Sequence, residues 1–404
     1  MEFSREKYKK LKAELEHPHI TILLGARQVG KSYLMSKLRK QVTGEVFFDL
    51  EDPATLKSFH GDEEHIFNLL SQSGKYIFID EFHYLENISK VFKAIYDQGK
   101  RNPKQAVKIF ASGSSSTEIH KHLKESLAGR KREIIIRPMI FSEYKSQIDS
   151  LDEYLVYGGM PGVYHFESRH DRSDYLNEII KTYIQKDIKS LIKEQRLSAF
   201  NKLLYVLAEN QGQAISLNSL SKDLSIKYHE LQDFVDLLEQ TFVLYPLAPY
   251  SGNLSNELKK THKYYLYDHG IRNSLVKDFS AVARRKDQGH IWESYVYHYL
   301  LSIQEANNEI RYWRTSSGNE VDFIWLEDRV PTPLEVKTKI EEDEIPSGLK
   351  SFLEGYPKSK CAVVVFNKSR TIKDGYAQSD YKGHRIHYIQ VEQIDRLEDI
   401  LQED

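Results

Sequence analysis

The sequence lacks the features that mark membrane-spanning or secreted proteins. Its 404 residues contain a single cysteine, Cys361, so no disulfide can form within the chain, which is typical of a reducing compartment. No apolar run approaches the roughly 18 residues that a membrane-spanning helix needs. Glu2 and Glu6 lie where a signal peptide would be free of acidic residues. We therefore expect a cytoplasmic protein that is neither exported nor inserted into a membrane.

The sequence also lacks an excess of positive charge and a zinc pattern. The formal net charge is −2, so any contact with nucleic acid must come from local basic patches. The histidines of the last part of the chain, His262, His269, His290 and His298, have no metal-ligand spacing and no second cysteine exists, which argues against structural zinc. With 40% hydrophobic and 29% charged residues, the composition is that of an ordinary globular protein. The length predicts two or three domains.

One complete phosphate-binding loop is present. The apolar run 20–24 leads into Gly25 and Gly30, which let the backbone turn its amides around β- and γ-phosphates at the start of the next helix. Lys31 supplies a point charge and the Ser32 hydroxyl is the expected magnesium ligand. A chance glycine turn is the alternative. The predicted nucleotide-binding residues are Gly25, Ala26, Arg27, Gln28, Val29, Gly30, Lys31, Ser32 and Tyr33.

A second pattern typical of nucleotide hydrolases is an apolar run that ends in two carboxylates, Asp80 and Glu81. Because neighbouring side chains of a strand point to opposite faces, we assign the two different roles. Asp80 is predicted to hold magnesium through water, with Ser32 as the other protein ligand. Glu81 is predicted to polarise the water that attacks the γ-phosphate. The alternative is a solvated pair of loop carboxylates.

Two further catalytic candidates follow. A strand over 107–111 ends in serines 112–116, of which Ser114 is predicted to hydrogen-bond the attacking water or the γ-phosphate; the alternative is a turn that caps the next helix. Arg130 lies in the basic cluster 127–132. Its permanent charge and planar fork suit a role in a neighbouring subunit's nucleotide site. A solvated surface arginine is the alternative.

Together these residues resemble the AAA+ ATPases. The resemblance is carried by 25–32, 79–81, 112–114, and 127–130 with 137–139. More narrowly, they are similar to a widespread bacterial and archaeal group in which such a core is fused to a carboxy-terminal domain of unknown function. The resemblance implies an α/β fold with a five-stranded parallel sheet over residues 1–150, with ATP and Mg²⁺ as cofactors. It also implies a homo-oligomer, with a hexamer among the arrangements, in which Arg130 acts across subunits.

Residues 151–262 are predicted to form a helical lid and a winged-helix module. The glycine-rich segment 157–162 breaks the chain and is interpreted as a hinge. A helical pattern over 172–195 has a basic face, which either contacts nucleic-acid phosphates or is solvated. The pattern over 200–250 is typical of a winged helix. Its expected recognition helix, 228–240, has four acidic residues and no lysine or arginine, so a structural or protein-contact role is favoured.

Residues 263–404 contain the last group of charged residues. Glu293 lies on a predicted helix, and Asp322 and Glu335 lie on two strands that a turn at 327–329 would pair. Lys337 falls on the same strand face as Glu335. Two carboxylates and a lysine on one sheet face suit a magnesium site for phosphodiester cleavage. The pattern resembles the α/β core of PD-(D/E)XK nucleases, which implies a second Mg²⁺ or Mn²⁺ and DNA as substrate. Salt-bridged strands are the alternative.

Our leading hypothesis is an ATP-hydrolysing AAA+ protein whose turnover moves a nuclease-like carboxy-terminal domain that acts on DNA. The alternative is a nucleotide-dependent switch whose carboxy-terminal domain is an inactive module that binds DNA or a protein partner.

Overall fold

The computed structural model describes residues 5–113, 127–144, 148, 150–183, 188–189, 191–251 and 261–402. The predicted catalytic Ser114 lies outside the described residues. No helix within these ranges is both long and apolar enough to span a membrane.

The first described part is built on a parallel sheet of five strands. They follow one another along the chain as β1 (Ile20–Leu24), β2 (Glu45–Asp49), β3 (Tyr76–Asp80), β4 (Lys108–Gly113) and β5 (Lys131–Ile135). Their order in the sheet is β2-β3-β4-β1-β5, and all neighbours are parallel. β1 and β4 are buried along their whole length, as expected for parallel strands covered on both faces. The structure therefore confirms the predicted five-stranded parallel sheet.

Helices cover both faces of this sheet. They are α1 (Glu6–Ala13), α2 (Lys31–Arg39), α3 (Pro53–Ser58), α4 (Glu63–Ser73) and α5 (Ile88–Arg101). Alternate residues of β1 enter separate cores, with Leu23 in one and Ile22 in the other. In the first core Phe78 and Phe110 stack with ring centroids 5.2 Å apart. Because the carboxyl ends of parallel strands meet at one edge, the residues that follow β1 and β3 lie close together.

The middle of the chain is mostly helical with a small sheet. Its helices are α6 (Phe141–Tyr144), α7 (Leu151–Tyr157), α8 (Arg169–Thr182), α9 (Leu197–Glu209), α10 (Leu217–Asp223) and α11 (Tyr228–Gln240). Its strands are β6 (Ala214–Ile215), β7 (Leu244–Leu247) and β8 (His262–Leu266), in the antiparallel order β6-β8-β7. β8 thus pairs with strands on the other side of the predicted boundary at 262. Sequence reasoning missed this because strand pairing over such a distance leaves no local pattern.

The last part contains a mixed sheet of six described strands. The helices are α12 (His269–Val276), α13 (Gln288–Ile303), α14 (Ser347–Gly355) and α15 (Arg396–Gln402). The strands are β9 (Asn308–Arg314), β10 (Glu320–Glu327), β11 (Val330–Lys339), β12 (Ala362–Lys368), β13 (Tyr376–Tyr381) and β14 (His384–Gln390). Their order is β13-β14-β12-β11-β10-β9, with β11, β12 and β14 parallel.

The predicted hairpin between Asp322 and Glu335 is present. β10 and β11 are antiparallel, and the chain reverses at Asp328 and Arg329. Both turn residues have positive φ, 48° and 67°, as in the two-residue turns whose twist matches that of the strands. The turn places Asp322 and Glu335 on neighbouring strands.

A buried carboxylate joins the predicted hinge to the last part of the chain. Asp268, only 2% exposed, accepts hydrogen bonds from the amides of Gly159 (2.6 Å) and Ile271 (3.0 Å), so it also caps α12. A Cβ on Gly158, whose φ is 79°, would lie 2.2 Å from the carboxylate, which explains the glycine. Burial raises the pKa of Asp268 to about 6 although these amides oppose the shift.

We predict that Asp268 gives the protein a specific pH dependence of stability. Its folded-state pKa of about 6 lies above the ordinary value of 3.8. The stability that its protonation contributes is therefore fully present below the unfolded-state pKa and is lost as pH rises through about 6. The free energy of unfolding of the wild type, relative to Asp268→Asn, should fall by about 3 kcal/mol between about pH 4 and pH 7. Urea titrations of both proteins would measure it, and a constant difference would contradict the assignment.

Candidate functional site

The loop between β1 and α2 is closed by its own lysine. Gly25 has φ 153° and approaches the Ile136 carbonyl so closely that a Cβ would lie 2.1 Å from it. Gly30, in the left-handed region at φ 96°, starts α2. Lys31 is 5% exposed, and its ammonium donates to the carbonyls of Gly25 and Ala26 at 2.9 Å each. The charge therefore lies inside the loop, where a phosphate would meet it.

The two predicted magnesium ligands lie together at this edge. Asp80, at the end of β3, is 7% exposed and hydrogen-bonds the hydroxyls of Ser112 and Ser32. Burial raises the pKa of the Asp80 carboxyl, the two hydroxyls oppose this, and the nearby Glu81 adds to it. A hydroxyl and a carboxylate beside the loop ammonium form the oxygen set that Mg²⁺ prefers. Sequence reasoning included Ser112 in the serine run without predicting this contact.

Glu81 lies next to this pair but outside the strand. Its backbone is left-handed, with φ 53° and ψ 47°, and β3 ends one residue earlier. The alternation of side chains along β3 therefore does not set its direction, contrary to our sequence argument. Its Oε2 lies 3.0 Å from Nδ1 of His83.

The remaining loop residues are fixed by contacts over long distances in the sequence. The Arg5 guanidinium donates to the Val29 carbonyl at 3.3 Å. The Tyr175 hydroxyl donates to Oε1 of Gln28 at 3.1 Å. Arg27 pairs with Glu51, 3.5 Å away. Neither Arg5 nor Tyr175 had a sequence signal, because their partners are 24 and 147 residues away. Ala26 is buried, and Tyr33 is 37% exposed beside the loop.

Arg130 lies at the amino-terminal ends of the strands, opposite the ends that carry the phosphate loop. Its carbonyl accepts a hydrogen bond from the amide of Ile20, the first residue of β1. The phosphate loop, by contrast, follows Leu24, the last residue of that strand. Four residue steps along a strand correspond to about 13 Å. Its guanidinium pairs with Asp97 at 2.9 Å. Arg130 is therefore not brought together with the nucleotide-site residues of its own chain.

The four predicted residues of the carboxy-terminal part do converge. Asp322 accepts from the amide of Val336 at 2.8 Å, which places it beside Glu335. Lys337 Nζ lies 2.6 Å from Oε1 of Glu335. Glu293, from α13, lies close enough to Asp322 to raise the pKa of that carboxyl, although burial is the larger cause. We call these residues, with Glu320 and Lys263, the carboxylate cluster.

Lys263, from β8, is one of the two members that sequence reasoning missed, the other being Glu320 of β10. Its side chain is 3% exposed, and its ammonium lies 2.8 Å from Glu293, 2.6 Å from Glu320 and 4.0 Å from Asp322. Although burial opposes ionisation, Lys263 and the hydrogen bonds from His290 and Tyr265 lower the pKa of Glu293 to about 2. The sequence signal for Lys263 was only a lysine within a run of aromatic and apolar residues, which matches no known motif.

The charges of the cluster do not balance. Four carboxylates, Glu293, Glu320, Asp322 and Glu335, face two ammonium groups and the guanidinium of Arg314, which lies 3.5 Å from Glu320, so the formal sum is −4 + 3 = −1. Burial raises the pKa of both Asp322 and Glu335. Oε2 of Glu335 is buried with no hydrogen bond from the described residues. Asp322 and Glu335 are the two carboxylates that could hold a divalent cation. The described ranges contain no group of three or more metal-ligating side chains, so only a two-carboxylate site fits.

Comparison with protein families assigns each part of the chain separately. Residues 17–145 match a family model described as an AAA domain. Residues 148–282 match the domain of unknown function DUF8612, and residues 288–386 match the domain of unknown function DUF4143. The match over 17–145, with the parallel sheet and phosphate loop already described, supports a P-loop ATPase core.

Related proteins extend over most of the chain. An uncharacterised protein of Mycobacterium tuberculosis is 25% identical over 363 residues, 89% of this chain and 79% of that protein. An uncharacterised protein of Methanocaldococcus jannaschii is 25% identical over 369 residues, 78% of this chain and 74% of that protein. Among solved structures, a Walker-type ATPase of Pyrococcus abyssi aligns with 68% of this chain and 96% of its own, with 18% identity and a TM-score of 0.48.

We predict that Lys263→Met destabilises the protein by about 3–5 kcal/mol at neutral pH, because it leaves buried carboxylates without their cation. The depressed pKa of Glu293 contributes stability above its ordinary value of 4.5, and that contribution is lost as pH falls through about 2. The deficit of the variant should therefore shrink below about pH 4.5. Denaturant unfolding at several pH values would measure it.

Lys382→Ala is the matched control. Lys382 also pairs with a glutamate, Glu354, at 2.6 Å, but both side chains are at least half exposed. We expect it to cost less than about 1 kcal/mol. Equal losses for the two variants would contradict a central role for Lys263.

Proposed function

We propose that this chain binds ATP with Mg²⁺ and hydrolyses it at the loop between β1 and α2. The observation that carries the proposal is the contact of Ser32 with Asp80 beside the loop ammonium of Lys31. These are the groups that hold a triphosphate and its metal in P-loop enzymes. The family match over 17–145 supports the same function.

In this proposal each group has one task. The amides of 25–32 and the ammonium of Lys31 bind the β- and γ-phosphates, and Tyr33 completes the nucleotide contacts. Ser32 would hold Mg²⁺ directly and Asp80 through water; bound Mg²⁺ neutralises charge on the triphosphate. Glu81 accepts a proton from the attacking water, and Ser114 hydrogen-bonds that water or the γ-phosphate.

Arg130 is proposed to serve the nucleotide site of a neighbouring subunit. Its position at the ends of the strands opposite its own phosphate loop supports this role, because an arginine there lies far from the nucleotide bound to its own chain. An arginine supplied in trans stabilises charge in the transition state. The active form would then be a homo-oligomer, with a hexamer among the arrangements.

For the carboxy-terminal part we propose a PD-(D/E)XK-like domain that cleaves DNA with Mg²⁺ or Mn²⁺. The convergence of Glu293, Asp322, Glu335 and Lys337 and the net negative charge of the cluster support a cation site. Asp322 and Glu335 would hold the metal, which activates water. Lys337 would balance charge on the cleaved phosphate. We also propose that 200–250 form a winged-helix module, which the order of the helices and strands described there supports.

A specific observation favours the alternative function, a nucleotide-dependent switch with an inactive carboxy-terminal module that binds DNA or a protein. Lys263 already neutralises Glu293, the helical acid of the nuclease pattern, from 2.8 Å away. A buried ammonium lowers the need for a cation at this place.

For the nucleotide site we predict a separation of binding from turnover. Lys31→Ala should weaken ATP binding by more than about 100-fold, because the buried charge in the loop is lost. Glu81→Gln should keep the affinity and lower kcat by about 10²–10⁴-fold, because the base is lost. Titration calorimetry and phosphate release would measure the two effects.

Exposed residues nearby provide matched controls. Lys40→Ala, at the end of α2, and Glu86→Gln, five residues after Glu81, remove the same charges outside the site. Both should bind and turn over ATP as the wild type does. Unchanged turnover in Glu81→Gln would refute its role as base.

For the carboxy-terminal part we predict nicking of supercoiled plasmid in Mg²⁺ or Mn²⁺ that Asp322→Asn abolishes, because one of two metal ligands loses its charge. Asp328→Asn is the control, since Asp328 is exposed in the hairpin turn and asparagine tolerates its positive φ. An absence of cutting by the wild type with either metal would favour the switch.

A further inference from the structure

The segment after β3 has an unusual backbone that fixes Glu81. The chain leaves the strand through Glu81 in the left-handed region and continues as a single 3₁₀ turn, Phe82–Tyr84. The Tyr84 amide donates to the Glu81 carbonyl at 3.1 Å and closes this turn. A left-handed non-glycine residue costs about 1 kcal/mol and persists only where its surroundings hold it. The direction of Glu81 is therefore set by its neighbours in the turn.

Phe82 anchors the turn to the core. It is 2% exposed and lies 6.1 Å from the ring of Phe92 on α5. Leu85, at the end of the turn, is also buried, and its amide donates to the Phe82 carbonyl at 3.1 Å. The turn is thus held by apolar packing and backbone hydrogen bonds. His83, the central residue of the turn, is not needed for either.

His83 is instead directed at Glu81. Its Nδ1 lies 3.0 Å from Oε2 of the carboxylate, with 17% and 13% of the two side chains exposed. The ring stacks on Tyr84, with centroids 4.6 Å apart and planes 27° from parallel, which limits its rotation. Within the described residues Nδ1 is buried without an aligned hydrogen bond. A buried ring nitrogen left in that state costs about 1–3 kcal/mol, and the tautomer with its proton on Nδ1 removes this cost by donating to the Glu81 carboxylate 3.0 Å away.

We propose that His83 is a positioning residue for Glu81 in ATP hydrolysis. By engaging Oε2, the imidazole fixes the plane of the carboxylate and with it the direction in which Oε1 meets the attacking water. Catalytic contacts of this kind are often poorly aligned without substrate and tighten in the complex. The inference depends on the hydrolysis proposed above and adds the residue that orients its base.

The test compares His83→Ala and His83→Asn with the wild type. His83→Ala should lower kcat by about 10–100-fold, as loss of an orienting partner does elsewhere, while KM and the Kd for ATP change by less than about twofold. His83→Asn should restore most of kcat, because the asparagine side-chain nitrogen is as many bonds from Cα as Nδ1. Thermal melting of each variant would show whether it is folded. The exposed His60→Ala is the matched control and should behave as the wild type.

A double variant separates positioning from a structural role. In the Glu81→Gln background, His83→Ala should cause no further loss, because residues that act as a unit are not additive. An additive loss, a parallel rise in KM, or an unchanged kcat in His83→Ala alongside an active wild type would overturn the positioning role alone. A wild type that binds ATP without hydrolysing it would overturn the hydrolysis itself, and the positioning role with it.

Discussion

The arrangement of this chain depends on the hydrogen bonds that the buried carboxylate of Asp268 accepts. It accepts a hydrogen bond from the amide of Gly159, 109 residues earlier, and it caps α12, the helix that begins the last part of the chain. From the same glycine-rich segment, Pro161 reaches within 3.7 Å of where a Cβ on Gly30 would lie. Phosphate loop, hinge and α12 are thus joined by short contacts. A charge excluded from water could not remain here without the amides that surround it.

From α12 a further set of polar contacts leads toward the carboxylate cluster. Asn273 donates to the Leu155 and Val156 carbonyls before the hinge. Arg272 and Arg285 both bind Asp287, which lies immediately before α13, the helix that carries Glu293. Contiguous contacts transmit a change only through an element with two arrangements. Gly158 and Gly159 are instead held in one close-packed arrangement, because a Cβ would lie 2.2 Å from Asp268 on the first and 1.9 Å from the Met139 carbonyl on the second.

What the sequence could predict was local. The phosphate loop and the two carboxylates at the end of β3 follow from glycine spacing and apolar runs, and the hairpin that brings Asp322 beside Glu335 follows from alternation and turn chemistry. The unpredicted contacts join distant segments: Arg5 with Val29, Tyr175 with Gln28, and Lys263 with Glu293. The direction of the Glu81 side chain was not predictable for a different reason. A left-handed residue ends the alternation one position earlier than an apolar pattern can indicate.

The origin of Lys263 limits how independent the carboxy-terminal part can be. β8 pairs with β6 and β7 of the small sheet, yet its lysine lies among glutamates and an aspartate of the following sheet and helix. Residues 288–386, taken as a module, would therefore leave behind the counter-ion of their own interior. A gene fusion or a transplant that moved those residues alone would produce a domain carrying unbalanced buried charge. A segment that keeps this interior balanced must therefore include β8, which carries Lys263.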